Sequence, residues 1–248
     1  MPTTLITGAS SGLGAEMARQ LAALGHDLAL CARRTDRLEE LRAEIVTAHP
    51  ERTVSVRALD VNDHDAVFEV FNDFAAEFGH LDRVVVNAGL GKGQPLGSGR
   101  FDANRDTALT NTIGALAQTE AAAAIFRAQE AGHLVMISSV SAMRGMPKNI
   151  TTYAATKAFV AHLAEGFRAD VMRIPGIAVT VLYPGYIESE MSGTAANTPL
   201  MVDTVTGVRS MVAAMEKKVA SARVPAWPWV PAGFALKHLP LPVARKLM

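Results

Sequence analysis

A tyrosine and a lysine four residues apart are the side chains of this sequence best placed for acid–base chemistry. Tyr153 and Lys157 fall in a stretch predicted to be a long helix, so their i, i+4 spacing puts them on one helical face. A lysine beside a phenol favours the phenolate, and we expect it to lower the pKa of Tyr153. Such a tyrosine could act as a general acid or base near neutral pH. Ser138 and Ser139, at the end of the preceding predicted strand, carry hydroxyls that could hold a substrate carbonyl.

A glycine-rich turn near the N-terminus is the second candidate for chemistry. Residues 7–14 are Thr-Gly-Ala-Ser-Ser-Gly-Leu-Gly, between the first predicted strand and the first predicted helix. Glycines there permit a tight turn and a close approach of backbone to a pyrophosphate, while the helix N-terminus offers unpaired N–H groups and a positive dipole end. The alternative is an ordinary tight turn. Its position at the start of a βαβ unit favours a dinucleotide site.

The end of the second predicted strand indicates which dinucleotide would bind. Folds that prefer NAD carry Asp or Glu about 20 residues after the glycines, on the ribose 2′-hydroxyl. Here the strand ends in Cys31-Ala32-Arg33-Arg34, with no carboxylate. Because arginine binds phosphate bidentately, Arg33 and Arg34 predict a 2′-phosphate clamp and therefore NADP(H), with Arg33 the stronger contact. The alternative is a solvated basic pair. Cys31 is predicted to be a small buried hydrophobe.

The elements that position these residues alternate along the chain. Short apolar runs predict strands, and amphipathic stretches with helical spacing predict helices, with Thr35 as the N-cap of the second helix. This βα order predicts an α/β, single-domain Rossmann-type fold over 1–248, a doubly wound parallel sheet with helices on both faces. The predicted strands are Thr3–Thr7, Leu28–Ala32, Val54–Leu59, Arg83–Val86, His133–Ile137 and Ile177–Tyr183, and the predicted helices include Ala15–Leu24, Leu38–Ala48, Ala103–Gln129 and Thr152–Arg173.

Composition excludes several classes of protein. With 49% hydrophobic and 19% charged residues, the 248-residue chain is not predicted to be disordered. Lys+Arg and Asp+Glu are both 24, and this neutral balance argues against a nucleic-acid-coating protein. One cysteine, no signal-peptide pattern and no run of about 18 apolar residues predict a cytoplasmic location. The histidines show no metal-ligand spacing and are predicted to be surface or turn residues: His26, His49, His64, His80, His133, His162 and His238.

Taken jointly, these motifs resemble those of the short-chain dehydrogenase/reductase superfamily over residues 3 to about 191. The resemblance implies that NADP(H) is bound by the glycine turn, the arginine pair, a pair after the third strand, an Asn-Ala-Gly motif after the fourth, and a Pro-Gly motif after the sixth. The implied cofactor-binding residues are Gly8, Ser10, Ser11, Gly12, Leu13, Gly14, Arg33, Arg34, Asp60, Val61, Asn87, Ala88, Gly89, Tyr153, Lys157, Pro184, Gly185, Ile187 and Ser189.

The resemblance also implies a catalytic set of Asn111, Ser139, Tyr153 and Lys157. Tyr153 would protonate a developing alkoxide that Ser139 holds. Lys157 would bind the nicotinamide ribose and keep the tyrosine acidic, and Asn111 would position a water leading to solvent. The implied activity is NADP(H)-dependent interconversion of a carbonyl and a secondary alcohol. The alternative is a cofactor-binding sensor or scaffold of the same fold with little turnover.

Four departures from the family pattern bear on these expectations. Ser11 stands where many NADP-dependent members carry Lys or Arg, so specificity would rest on the two arginines. Ser139 and Tyr153 are 14 residues apart where 13 is usual, which implies one extra loop residue. Val86 and Ser189 are milder variants. None of the four removes a catalytic group.

Two segments are expected to select the small-molecule carbonyl or alcohol substrate. The first is the loop Ala142–Thr152, with Met143, Met146 and Pro147. The second is the region of about 186–222, with Tyr186, Met191 and a predicted helix near Asp203–Ser221. Both follow the carboxyl ends of strands, where ligands bind in open α/β sheets. Their methionines predict an apolar pocket, or alternatively gap-filling packing.

The tail 223–248 holds both tryptophans, Trp227 and Trp229, with four cationic side chains and no acid. It predicts a C-terminal strand and cap packed on the pocket or on a partner subunit. The alternative is a weak membrane-surface contact, since aromatic rings beside cations suit a bilayer interface. Small residues on two predicted helices, together with the resemblance, predict a homodimer or homotetramer: Ala115, Ala117, Ala121, Ala122, Ala158, Ala161 and Ala164.

Overall fold

The apolar runs of the sequence form a seven-stranded parallel sheet in this computed structural model, which describes residues 1–190 and 200–245. The strands are β1 (Thr3–Thr7), β2 (Asp27–Ala32), β3 (Val54–Ala58), β4 (Arg83–Val86), β5 (Gly132–Ile137), β6 (Ile177–Pro184) and β7 (Ser221–Val224). Their order in the sheet is β3-β2-β1-β4-β5-β6-β7, so the order reverses direction between β1 and β4. Ligands bind at such a switch point in open α/β sheets.

Helices connect the strands and cover both faces of the sheet. They are α1 (Gly12–Ala23), α2 (Thr35–Ala48), α3 (His64–Phe78), α4 (Phe101–Ala108), α5 (Ala115–Gln129), α6 (Thr151–Val171), α7 (Thr204–Glu216), α8 (Ala226–His238) and α9 (Leu241–Ala244). One buried cluster joins the sheet to α3, α5 and α6, and the other joins it to α1, α2 and α7. Neighbouring strand residues alternate between the clusters, as Leu5 and Ile6 do, because successive side chains of a strand point to opposite faces.

Two helical predictions are wrong in detail. Thr35 does not cap α2 but is its first residue, and the N-cap position falls on Arg34. The predicted helix Ala103–Gln129 is interrupted by one wide π-helical stretch, Leu109–Gly114, between α4 and α5. The apolar spacing that predicts helices assumes the α-helical period, so the sequence pattern could not locate this wide turn. π-helical turns are frequent at functional sites.

Two histidines lie inside the protein, contrary to the surface prediction. His133 is 1% exposed and contacts Arg83 Nε at 3.0 Å and Thr180 Oγ1 at 2.8 Å. Burial, with the charge of Arg83 beside it, lowers the pKa of His133 to about 3. His26 is also buried, and Thr4 Oγ1 lies 2.9 Å from its Nδ1. Hydrogen-bonding partners on neighbouring strands, which no local pattern reveals, make this burial tolerable.

The tail continues the sheet and then covers one end of it. β7 pairs in parallel with β6, and α8 follows with Trp229 buried against the backbone of Gly185. The rings of Trp229 and Tyr186 meet edge to face, with centroids 5.0 Å apart. The described part of the tail therefore contains the end of β7 and helix α8, whose Trp229 packs on Gly185. Within 1–190 and 200–245, no helix is long and apolar enough to cross a membrane.

Candidate functional site

A cavity of about 620 Å³ opens where the carboxyl ends of the strands meet. Every predicted cofactor-binding residue lines it, from the glycine turn at one end to the Pro-Gly motif at the other. Ser139, Tyr153 and Lys157 also line it, whereas Asn111 does not. The volume lies within the range of about 300–1,000 Å³ that is usual for small-molecule sites. The tertiary structure thus brings together residues from six separate strand ends.

The glycines of the turn pack closely against neighbouring backbone. Gly8 has φ +63°, and a Cβ added there would stand 2.9 Å from Ala88 Cα. A Cβ on Gly14 would stand 2.4 Å from the Gly8 carbonyl oxygen. Ser11, at the N-cap of α1, makes no side-chain capping hydrogen bond, so the first turn of the helix has N–H groups available for an anion. The turn therefore fits a dinucleotide phosphate.

Asn87 braces this turn from the neighbouring strand. Its side-chain amide donates to the Thr7 carbonyl at 2.9 Å. The Thr7 hydroxyl in turn accepts hydrogen bonds from the backbone N–H groups of Asn87 and Ala88, both at 3.0 Å. These bonds fix the end of β4 against the end of β1. Asn87 and Ala88 therefore support the shape of the turn as well as lining the cavity.

The two arginines after β2 have different surroundings. Both line the cavity and are exposed. Arg34 donates from Nη2 to Ser11 Oγ at 2.6 Å and from Nε to Ser10 Oγ at 3.3 Å, and it pairs with Glu190. Among the described residues, Arg33 has no hydrogen-bonding or ionic partner for its side chain. Its guanidinium is thus available to a phosphate without breaking an existing pair.

Ser139, Tyr153 and Lys157 converge on one wall of the cavity. A side-chain hydrogen bond joins Ser139 to Tyr153, and Lys157 Nζ lies 5.6 Å from the centre of the tyrosine ring. Ser138 has a different role from Ser139, because its hydroxyl donates to the Lys157 carbonyl at 2.7 Å and ties β5 to α6. Of the two candidate serines, only Ser139 is bonded to the phenol.

The expected lowering of the tyrosine pKa is wrong for this structure. Burial raises the pKa of Tyr153 to about 12, and the hydrogen bond with Ser139 offsets this only in part. Burial also lowers the pKa of Lys157 to about 8. The lysine ammonium donates to the Ile137 carbonyl at 2.9 Å rather than to the phenol. Desolvation therefore dominates over the lysine charge, and near neutral pH the phenol is a protonated donor.

Asn111 lies behind the cavity wall, in the π-helical stretch. Its amide oxygen accepts from the Leu90 N–H at 2.7 Å, and its amide nitrogen donates to the Leu90 carbonyl at 2.8 Å and to Thr156 Oγ1 at 3.1 Å. A Cβ on Gly89 would stand 3.3 Å from this amide oxygen and 3.5 Å from Lys157 Nζ. Asn111 is thus a neighbour of the lysine and holds the loop after β4 in place.

The substrate side of the cavity only partly follows the sequence expectation. From the first segment, Met146 lines the cavity, whereas Met143 contacts Arg223 through its sulfur at 3.5 Å. From the second, Tyr186 and Met201 line it. Helix α7 contributes none of the cavity-lining residues in the described part of the chain, because its apolar side chains pack into the core. Met191 and residues 246–248 of the tail lie outside the described residues.

Sequence reasoning missed two residues at the arginine end of the cavity. Glu190 pairs with Arg34 and with Arg37, which lies on the first turn of α2. Arg34 and Glu190 are 156 positions apart, and no local spacing connects them. The one signal in the sequence is the opposite charge of these side chains, and opposite charge does not identify which acid reaches which arginine.

Known proteins similar to this chain are oxidoreductases. The family model described as short chain dehydrogenase matches residues 2–199. An uncharacterized oxidoreductase of Mycobacterium tuberculosis is 55% identical over 227 residues, covering 92% of this chain and 89% of the relative. An uncharacterized oxidoreductase of Myxococcus xanthus is 36% identical over 244 residues, covering 97% and 94%.

Two solved structures extend the similarity to cofactor complexes. A short-chain dehydrogenase from Sphingobium yanoikuyae in complex with NADPH has a TM-score of 0.83 at 27% identity, covering 95% of this chain and 92% of that chain. An alcohol dehydrogenase from Thermococcus sibiricus complexed with 5-hydroxy-NADP has a TM-score of 0.80 at 27% identity, covering 90% and 95%.

Proposed function

Because the chain belongs to the short chain dehydrogenase family, whose members include nicotinamide-dependent oxidoreductases, we propose that it is an NADP(H)-dependent oxidoreductase. Its reaction interconverts a small-molecule carbonyl and a secondary alcohol. The observation that carries the proposal is the convergence of Ser139, Tyr153 and Lys157 on one wall of a cavity whose far end is the glycine turn. The proton donor, the turn that would bind the cofactor and the space for the substrate therefore belong to one cavity.

The cavity has a group suited to each part of the cofactor. The backbone of the glycine turn would hold the pyrophosphate, and Arg33 and Arg34 with Ser10 and Ser11 would hold the 2′-phosphate. NADPH, when bound, supplies a hydride to the carbonyl carbon. The remaining contacts follow the family resemblance: the adenine at Asp60 and Val61, and the nicotinamide end at Asn87, Ala88, Gly89, Pro184, Gly185, Ile187 and Ser189.

The side chains of this protein then donate and replace the proton that the reaction needs. Tyr153, protonated at neutral pH, donates its hydroxyl proton to the carbonyl oxygen as charge develops there. Ser139 holds that oxygen by a hydrogen bond. Lys157 binds the nicotinamide ribose hydroxyls and, beside Asn111, begins the route by which the lost proton is replaced. The chain thus contributes positioning and general acid catalysis.

A direct assay separates this proposal from the sensor or scaffold alternative. The purified protein is mixed with NADPH and a panel of aldehydes and ketones, and absorbance of the reduced cofactor is followed. Oxidation that depends on one or more carbonyls supports the enzyme. Tight NADPH binding without oxidation against the whole panel would support the sensor.

Lys157 should give the activity a definite pH dependence. Its pKa is about 8, so the charged form is lost as pH rises through that value, whereas Tyr153 stays protonated to about pH 12. We expect kcat/KM for reduction to be flat below pH 7 and to fall about tenfold per unit well above pH 8. Initial rates from pH 6 to 10 measure this. A profile that stays flat to pH 10 would contradict the role of the lysine charge.

We propose that the protein forms a homodimer or homotetramer, but through interface residues other than the alanines predicted from the sequence. The predicted small residues, apart from Ala158, are buried within the chain's own core and offer no outer face. The same helical region instead exposes three large apolar side chains: Leu109 (46% exposed), Ile113 (41%) and Phe159 (37%). Exposed apolar side chains of this size favour association if they adjoin one another on the folded surface. We expect a dimer or tetramer by light scattering at micromolar concentration and dissociation in Ile113→Asp; a monomeric unmodified protein would refute the proposal.

We also propose that residues 1–248 act as one NAD(P)-binding domain and that about 186–222 select the substrate. Two further proposals are a cytoplasmic location and a weak membrane-surface contact through the tail, where Trp227 is 78% exposed.

A further inference from the structure

A carboxylate occupies the basic end of the cavity. Glu190 Oε2 lies 3.1 Å from both Nη1 and Nη2 of Arg34, and its Oε1 contacts Arg37 Nη1. Arg34 also donates to the hydroxyls of Ser10 and Ser11. Glu190, Arg34 and both serines line the cavity. The Glu190 carboxylate therefore already pairs with Arg34, the side chain that would bind an anionic group of a ligand.

We propose that Glu190 is a specificity-determining residue that weakens NADPH binding relative to NADH. The inference rests on the proposed cofactor site. The 2′-phosphate of NADPH needs the guanidinium edge of Arg34 that the carboxylate now holds, and the two anions also repel each other. NADH has a neutral hydroxyl at this position and can bind without displacing the acid. The cost of displacement falls on NADPH alone.

The surroundings of the pair set the size of the effect. Arg34 and Glu190 have 42% and 53% of their side chains exposed, so water screens the pair and its contribution is modest. Hydrogen bonds from Arg37 and Arg34 lower the pKa of Glu190, so the carboxylate is charged at neutral pH. Arg33, which has no such partner in the described part of the chain, remains the main phosphate contact. Glu190 therefore tunes the preference for NADPH without abolishing it.

The test is Glu190→Gln, which keeps the size of the side chain and removes its charge. Dissociation constants for NADPH and NADH are measured by fluorescence titration of the reduced cofactors. We expect the Kd for NADPH to fall about three- to fivefold and the Kd for NADH to stay unchanged. Glu188→Gln is the matched control, because it removes the same charge from the same segment. The hydrogen bonds of Glu188 in the described part of the chain are made by its backbone, which accepts from the Thr204 hydroxyl and donates to the Val202 carbonyl.

A double variant tests the route of the effect. In an Arg34→Ala background, Glu190→Gln should change NADPH affinity less than it does in the unmodified protein. The inference is overturned if Glu190→Gln and Glu188→Gln have equal effects, or if Glu190→Gln weakens NADH. The failure of the cofactor proposal looks different. In that case the unmodified protein would show no preference for NADPH at all.

Discussion

Replacing Tyr153 by phenylalanine is expected to lower kcat for carbonyl reduction by about 10²- to 10⁴-fold, the usual contribution of general acid catalysis. The variant removes only the hydroxyl, which is the proton donor. The ring, with Lys157 Nζ 5.6 Å from its centre, keeps its place on the cavity wall. NADPH affinity should therefore stay nearly unchanged. Steady-state rates on an accepted carbonyl and fluorescence titration of NADPH measure the two effects separately.

Tyr183→Phe is the matched control for this variant. Tyr183 lies on β6 and is not among the described residues that line the cavity, so the loss of its hydroxyl should leave turnover near that of the unmodified protein. If Tyr153→Phe keeps more than about a few per cent of activity, the loss is smaller than a general acid would cause, and Tyr153 is not the proton donor. A loss of folding would lower NADPH binding as well and is recognised by the titration.

The second large expected effect concerns the preference for NADPH over NADH. We expect kcat/KM to favour NADPH over NADH by about 10- to 150-fold, since a bidentate arginine–phosphate contact is worth roughly 1.5–3 kcal/mol. Arg33→Ala should remove most of this preference by weakening NADPH alone, and Arg34→Ala should cost less because Glu190 already holds that side chain. Adding Ala32→Asp to Arg33→Ala should move the preference toward NADH. The new carboxylate repels the phosphate and accepts from the 2′-hydroxyl.

Arg42→Ala provides the control for these changes. Arg42 is an exposed arginine of α2 that pairs with Glu39, and it is not among the described cavity-lining residues. Its removal changes the net charge as Arg33→Ala does, so it shows how much of the effect is long-range attraction. Equal kcat/KM values for NADPH and NADH in the unmodified protein would mean that the arginine pair does not bind a 2′-phosphate.

Local patterns in the sequence were sufficient to predict the strands and the glycine turn. Apolar runs such as Arg83–Val86 became strands with the predicted bounds, because a strand buried on both faces needs an uninterrupted apolar stretch. The glycine turn could be placed because close backbone approach and positive φ favour glycine. The alternation of strands and helices also predicted a parallel sheet, in which the carboxyl ends of the strands lie along one edge. Ser139, Tyr153 and Lys157 line the cavity at that edge.

The tertiary structure alone decided how these residues behave there. The pKa of Tyr153 depends on how much water its phenol loses on folding. Burial raises this pKa and outweighs the lowering that the i, i+4 spacing to Lys157 predicted. The partner of Arg34 is an acid 156 positions away, and the alanines expected on an outer face, apart from Ala158, are buried in the core. Spacing along a chain fixes which neighbours share a helical face. Desolvation and contacts between distant segments arise only when the whole chain has packed.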